Sequence, residues 1–100
     1  MANRCFFYAA DSAADSIALD TDKVMSIRTT DSTTVVIDYA DPAGAAKAIT
    51  LGTTEAKTAS VVQNIGRLVL AGRGIVTLAD DVNGVYGVDG IEEVDSITHA

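Results

Sequence analysis

The residues that could do chemistry in this chain are few, and their spacing does not suit it. Nucleophilic catalysis needs a nucleophile, a base within hydrogen-bond reach and a third group to orient the base. The only cysteine is Cys5 and the only histidine is His99. A Cys5–His99 dyad would require the two ends of the chain to meet. Cys5 stands beside Phe6 and Phe7 and reads instead as a buried thiol. One cysteine excludes an internal disulfide. One cysteine and one histidine leave a structural zinc site without its ligands.

Three further clusters suggest chemistry. Asp80-Asp81-Val82-Asn83-Gly84 hints at a calcium loop. With Gly84 at the sixth position of an EF-hand loop, Ala79 falls on the first ligand and Gly90 on the bidentate acid, so the pattern fails. The segment reads as a solvated turn. Gly72-Arg73-Gly74 has the glycines of a phosphate loop, but it follows a helix pattern and precedes a strand, the reverse of the order such loops need. Glu92, Glu93 and Asp95 could be paired carboxylates for acid–base work. On a strand, Glu93 and Asp95 share one face and Glu92 takes the other. That arrangement reads as a charged edge that discourages sheet-to-sheet aggregation. No catalytic, cofactor-binding or metal-binding residue is assigned, and no cofactor is expected.

The elements that would have to position any site are mostly strands. Among the 100 residues are 11 Val, 8 Ile and 5 Leu, with 11 Thr. That excess of β-branched side chains suits a pleated surface. Arg4–Ala9 reads as a first strand, Asp11–Asp15 as a loop, and Ile17–Leu19 as a short apolar alternation. Lys23–Thr29 and Thr34–Tyr39 read as a hairpin with a four- or five-residue loop. Asp41-Pro42-Ala43-Gly44 has the residues of a type I turn. Ala48–Leu51 follows as a strand.

Thr53 or Thr54 is placed to cap a helix, with Glu55 in its first turn. Ala59, Val62, Ile65 and Val69 repeat at helical spacing, widened by Val61, Leu68 and Leu70. Gly72 is placed to end the helix. Gly74–Ala79 is a strand, and Asn83-Gly84 and Asp89-Gly90 are hairpin signals on either side of Val85–Val88. Ile91–Thr98 sets Ile91, Val94 and Ile97 against acids. The pattern predicts a single α+β domain over 1–100, a mostly antiparallel sheet of about five to seven strands with one amphipathic helix on one face.

Fourteen acids against seven bases give a net charge of −7. The bases form no run, so binding to nucleic acid is disfavoured. No stretch reaches the ~20 apolar residues of a membrane span. The apolar run Cys5–Ala10 is cut by Asp11 before it reaches signal-peptide length, and the chain reads as soluble and non-secreted. Ala9, Ala10, Ala13 and Ala14, with Ala43, Ala45 and Ala46, could allow close subunit contact, although plain loop composition accounts for them equally well.

Several segments occur in an order similar to that of small proteins of marine tailed phages, especially those of cyanobacteria. They are Cys5-Phe-Phe-Tyr8, then Asp22–Ile27 leading into a Thr/Asp turn, then Ile49-Thr-Leu51 running into the helix, and last Gly74–Asp81 with its alternating tail. The resemblance implies a non-enzymatic virion structural or capsid-associated protein that self-associates, with other copies and phage capsid proteins as partners. It implies a place in the virion, or in the host cytoplasm before assembly. It assigns no functional residues. The alternative is a small binding module for a protein or ligand held between helix and sheet, with Tyr8, Tyr39 and Tyr86 as candidate contacts. An apolar pocket of roughly 300 Å³ or more would favour that alternative.

Overall fold

The computed structural model describes residues 5–41 and 43–98. Arg4, Pro42 and His99 lie outside them. The strands are β1 (Cys5–Ser12), β2 (Asp15–Asp20), β3 (Val24–Asp31), β4 (Thr34–Ala40), β5 (Ala46–Thr53), β6 (Gly74–Asp80), β7 (Val85–Tyr86) and β8 (Ile91–Ile97). A 3-10 turn, Glu55–Lys57, leads into the helix α1 (Thr58–Ala71). The class is α+β, with mostly antiparallel pairing. The strands divide between two sheets, in the orders β2-β1-β6-β7 and β3-β4-β5-β8. Among the described residues only β1 and β6 pair parallel.

The division follows from the connections. Ala13-Ala14 makes a tight turn, so Asp11–Asp15, expected as a loop, is mostly strand. A 3-10 turn at Thr21–Lys23 then starts β3, which belongs to the second sheet. The β3–β4 hairpin turns in two residues, because the Asp31 carboxylate accepts the Thr33 backbone N–H at 2.9 Å and shortens the loop. Of the expected Asp41–Gly44 turn, Pro42 lies outside the described residues, and the Gly44 N–H donates to the Asp41 carbonyl at 2.9 Å.

One core joins both sheets and the helix. Phe7, Ile37, Ile49, Leu51, Val61, Ile65 and Leu78 are fully buried in it. On β8 the ladder skips Glu92 and Asp95. These two bulges turn a spacing of three into an inward row of Ile91, Val94 and Ile97. The helix packs near β3 and β4. Its buried stripe runs through Thr58, Val61 and Ile65, while Ala59 is exposed and Leu70 is 89% exposed.

Neither Thr53 nor Thr54 caps the helix with its side chain. Thr53 belongs to β5 instead. Gly72 ends the helix with extended backbone (φ −71°), its N–H donating to the Leu68 carbonyl. It must be glycine for space: a Cβ there would lie 2.6 Å from that carbonyl oxygen and 2.8 Å from Cys5 Sγ.

Candidate functional site

A concavity lies between the C-terminal half of α1 and the segment Gly87–Asp89. Asn64, Arg67, Leu68 and Ala71 form the helix wall, with Gly87, Val88 and Asp89 opposite. It encloses about 370 Å³ and opens broadly to solvent. Gly87 creates the far wall. Its N–H donates to the Leu78 carbonyl at 3.0 Å, and a Cβ at this position would fall onto the Thr77 carbonyl oxygen. That close approach ends β7 after two residues and buries Val88 as the floor.

Gly90 then turns the chain with φ +103°, and its carbonyl accepts the Thr54 N–H at 2.9 Å. Lys57 Nζ bridges to Asp89 Oδ2 at 3.0 Å, tying this loop to the start of the helical segment. Arg67 Nη1 donates to Asn64 Oδ1 at 2.9 Å on the helix wall. The concavity therefore combines an apolar floor with a guanidinium and an amide on one wall.

Sequence reasoning missed this groove by reading Val85–Val88 as one strand between two hairpin turns. Asn83-Gly84 does sit in a hairpin loop, β6 to β7. Asp89-Gly90 does not, because β7 and β8 belong to different sheets. Neither Asn83 nor Asp89 has the positive φ of a two-residue hairpin turn; only the glycines do.

The segment Asp80–Gly84, read from sequence as a solvated turn rather than a calcium loop, is a turn satisfied by its own side chains. Asp80 is buried and accepts the N–H groups of Val82 (3.0 Å) and Asn83 (3.2 Å) and the Asn83 amide (2.8 Å). The Asn83 side chain, and then those N–H groups, hold its carboxyl below the usual range. Asp81 accepts the Tyr86 hydroxyl at 2.7 Å and the Val94 N–H at 3.1 Å. Among the described residues no group of three or more His, Cys, Asp or Glu side chains is placed to hold a metal ion.

The acids of β8 crowd one another. The Glu93 carboxyl is raised by its hydrogen bond to Asp95 and by the nearby charges of Asp95, Asp81 and Glu92. Its side chain lies over Gly52, where a Cβ would come within 2.6 Å of Glu93 Cγ. Glu92 and Asp95 are the residues the ladder skips.

None of the three tyrosines lines the groove. Tyr39 is buried and donates to the Thr98 carbonyl at 2.6 Å, burial raising its hydroxyl pKa. Tyr86 is bound to Asp81. Tyr8 is half-buried in β1. Cys5 is buried, and that burial raises its thiol. Ala9 and Ala10 are also buried, which withdraws them from the set of alanines available to a partner. Ala13, Ala14, Ala43 and Ala45 are exposed in the turns, and Ala46 is exposed at the start of β5.

A second surface is more extended. In the first sheet, Cys5, Phe7 and Ala9 of β1 point into the core. Phe6 and Tyr8 share the opposite face with their ladder partners Ala18, Asp20, Ile75 and Thr77, and Val85 of β7 lies beyond them. Ile75 is 71% exposed and Val85 49%. No helix of the described residues is long and apolar enough to cross a membrane.

The fold thus defines a two-sheet α+β class with an open groove and an open apolar sheet face. Compared with known proteins, the chain matches no protein-family model, no curated protein and no solved structure.

Proposed function

We propose that this protein is a non-enzymatic structural component that acts by associating with copies of itself, and that it serves in a phage particle or on a capsid surface. The observation that carries the reading is the outer face of the first sheet. Phe6, Tyr8, Ile75 and Val85 stand there partly or largely outside the core. Exposed apolar side chains gathered on one sheet face of a small domain point to an interaction site. The order of segments similar to those of marine phage proteins supports the particle setting. Light scattering after size exclusion tests the association: the expected result is a defined oligomer, and a monomer at every concentration overturns it. Mass spectrometry of purified particles tests the setting, and absence from them removes the virion role.

The groove beside α1 favours a second reading, a small binding module. Its volume of about 370 Å³ falls in the range of ligand sites. Leu68, Ala71 and Val88 suit an apolar group, and Arg67 suits a carboxylate beside it. Amide chemical shifts of Asn64–Ala71 and Gly87–Asp89 moving together on titration with small apolar carboxylic acids would support this reading. Unchanged shifts across such a series would remove it.

A further inference from the structure

We propose that two copies of this chain pair antiparallel along the outer edge of β2, joining their first sheets into one continuous sheet across a two-fold axis at Ala18. The inference rests on the self-association reading above and names its surface and its partner, a second copy.

An open strand edge presents a row of backbone N–H and C=O groups that another strand can complete, and proteins blunt such edges unless they use them. The two sheets have four edges: β2, β7, β3 and β8. Three are blunted. β7 has two residues and ends at Gly87. The ladder of β3 skips Met25 and Thr30, and β3 carries Arg28. The ladder of β8 skips Glu92 and Asp95 and carries three acids.

The remaining edge is different. Among the described residues β2 pairs with β1 alone, and the bulge in that ladder falls on β1 at Asp11, leaving β2 regular from Asp15 to Asp20. Between its terminal aspartates it reads Ser16-Ile17-Ala18-Leu19, with no charge, proline or glycine.

The pleat then fixes the register. In an antiparallel pair, residues directly opposite share a face. On β2 the faces are set: Leu19 is buried and Ile17 packs against the core, while Ser16 and Ala18 are exposed on the outer side. A two-fold axis between residues would oppose Ile17 to the partner's Ala18, inward against outward, and is excluded. The axis must pass through a residue.

At Ile17 it would set Asp15 against the partner's Leu19, a carboxylate against a core side chain. At Ala18 it sets Ile17 against the partner's Leu19 and Ser16 against the partner's Asp20. No like charges face each other, and the inward apolar row continues across the axis. The contact is isologous, as a two-fold dimer requires. It also places the two outer faces side by side, doubling the open apolar surface.

Light scattering of the wild-type chain, Ala18→Asp and Ala18→Cys, with diamide cross-linking of Ala18→Cys and Ser16→Cys, tests the pairing. Both positions are exposed, and circular dichroism checks that each variant folds. Wild type should run at twice the 10.3 kDa chain mass and Ala18→Asp at the monomer mass. Ala18→Cys should cross-link to its own copy, because opposed Cα atoms in an antiparallel pair are about 4.5–5.5 Å apart, within disulfide reach. Ser16→Cys should not, since its two copies would lie four residues, about 13 Å, apart along the strands. If wild type is oligomeric but Ala18→Asp keeps that mass and Ala18→Cys does not cross-link, the β2 edge is overturned while self-association stands. If wild type is monomeric at every concentration, both fall together.

Discussion

Asp80 and Glu93 are both carboxylates, and the fold treats them oppositely. Asp80 is surrounded by donors, so its folded pKa lies below the unfolded value. Its contribution to stability is present above the ordinary carboxylate range and is lost as pH falls through the folded value. Glu93 is surrounded by acids, so its folded pKa lies above the unfolded value. Its contribution is complete below the ordinary carboxylate range and is lost as pH rises through the folded value. Two variants should therefore shift stability in opposite directions at neutral pH. Asp80→Asn should lower the melting temperature at about pH 7, and Glu93→Gln should raise it; the Glu93 difference should vanish below the ordinary carboxylate range of about pH 4, and the Asp80 difference should shrink only as pH falls further, toward its lowered folded value. Thermal melts of the three chains across that pH range provide the check. Gly87 is a residue-scale test of packing rather than charge. Gly87→Ala places a Cβ on the Thr77 carbonyl and should cost about 1–3 kcal/mol in denaturant unfolding.

At the scale of elements, a short hydroxyl relay fixes where the helix begins. Thr58 Oγ1 lies 2.6 Å from the Ser32 carbonyl oxygen and 2.8 Å from Thr53 Oγ1. With its single proton donated to Ser32, Thr58 accepts from Thr53. The relay links β5, the first residue of α1 and the β3–β4 turn. Thr58→Val would strand the buried Thr53 hydroxyl and leave the Ser32 carbonyl without this donor, and should cost about 1–3 kcal/mol, whereas Thr53→Val removes only the terminal donor and should cost about 0.5–1.5 kcal/mol. The double variant should be less damaging than the sum of the two, by at least ~0.5 kcal/mol in a double-mutant cycle. Additive losses would mean that the hydroxyls act independently.

This relay also shows what could be read from sequence. Threonine before an amphipathic stretch signals a helix start, and the helix is there. Whether its hydroxyl bonds the helix or a turn 26 residues earlier depends on tertiary placement. The strands were legible from β-branched runs and the Asp41 turn from its local side chain. The division into two sheets was not, because Ala13-Ala14 carries no glycine or asparagine to announce a hairpin. Nor did Asp89-Gly90 reveal that it connects different sheets. The groove escaped for the same reason: Gly87 is defined by its approach to Thr77, which is remote in the chain.

On the scale of the whole molecule, one core and a large net charge pull in different directions. Phe7 is fully buried in a cluster shared by both sheets and α1, so Phe7→Ala should cost about 3–5 kcal/mol and weaken all three parts together. Helix and tyrosine signals should still unfold in one transition; separate transitions would show that the sheets melt independently. The charge acts between molecules. Each copy carries −7, and the proposed β2 contact gains from backbone pairing and apolar packing, with no ion pair across it. Salt then screens repulsion without weakening an attraction. Raising ionic strength from ~0.01 M to ~0.15 M shortens the Debye length from about 30 Å to about 8 Å, less than the size of this domain. The dimer dissociation constant, measured by sedimentation equilibrium, should fall across that range. An interface held by charge pairs would show the reverse, and a constant that rises with salt would count against β2 as the contact.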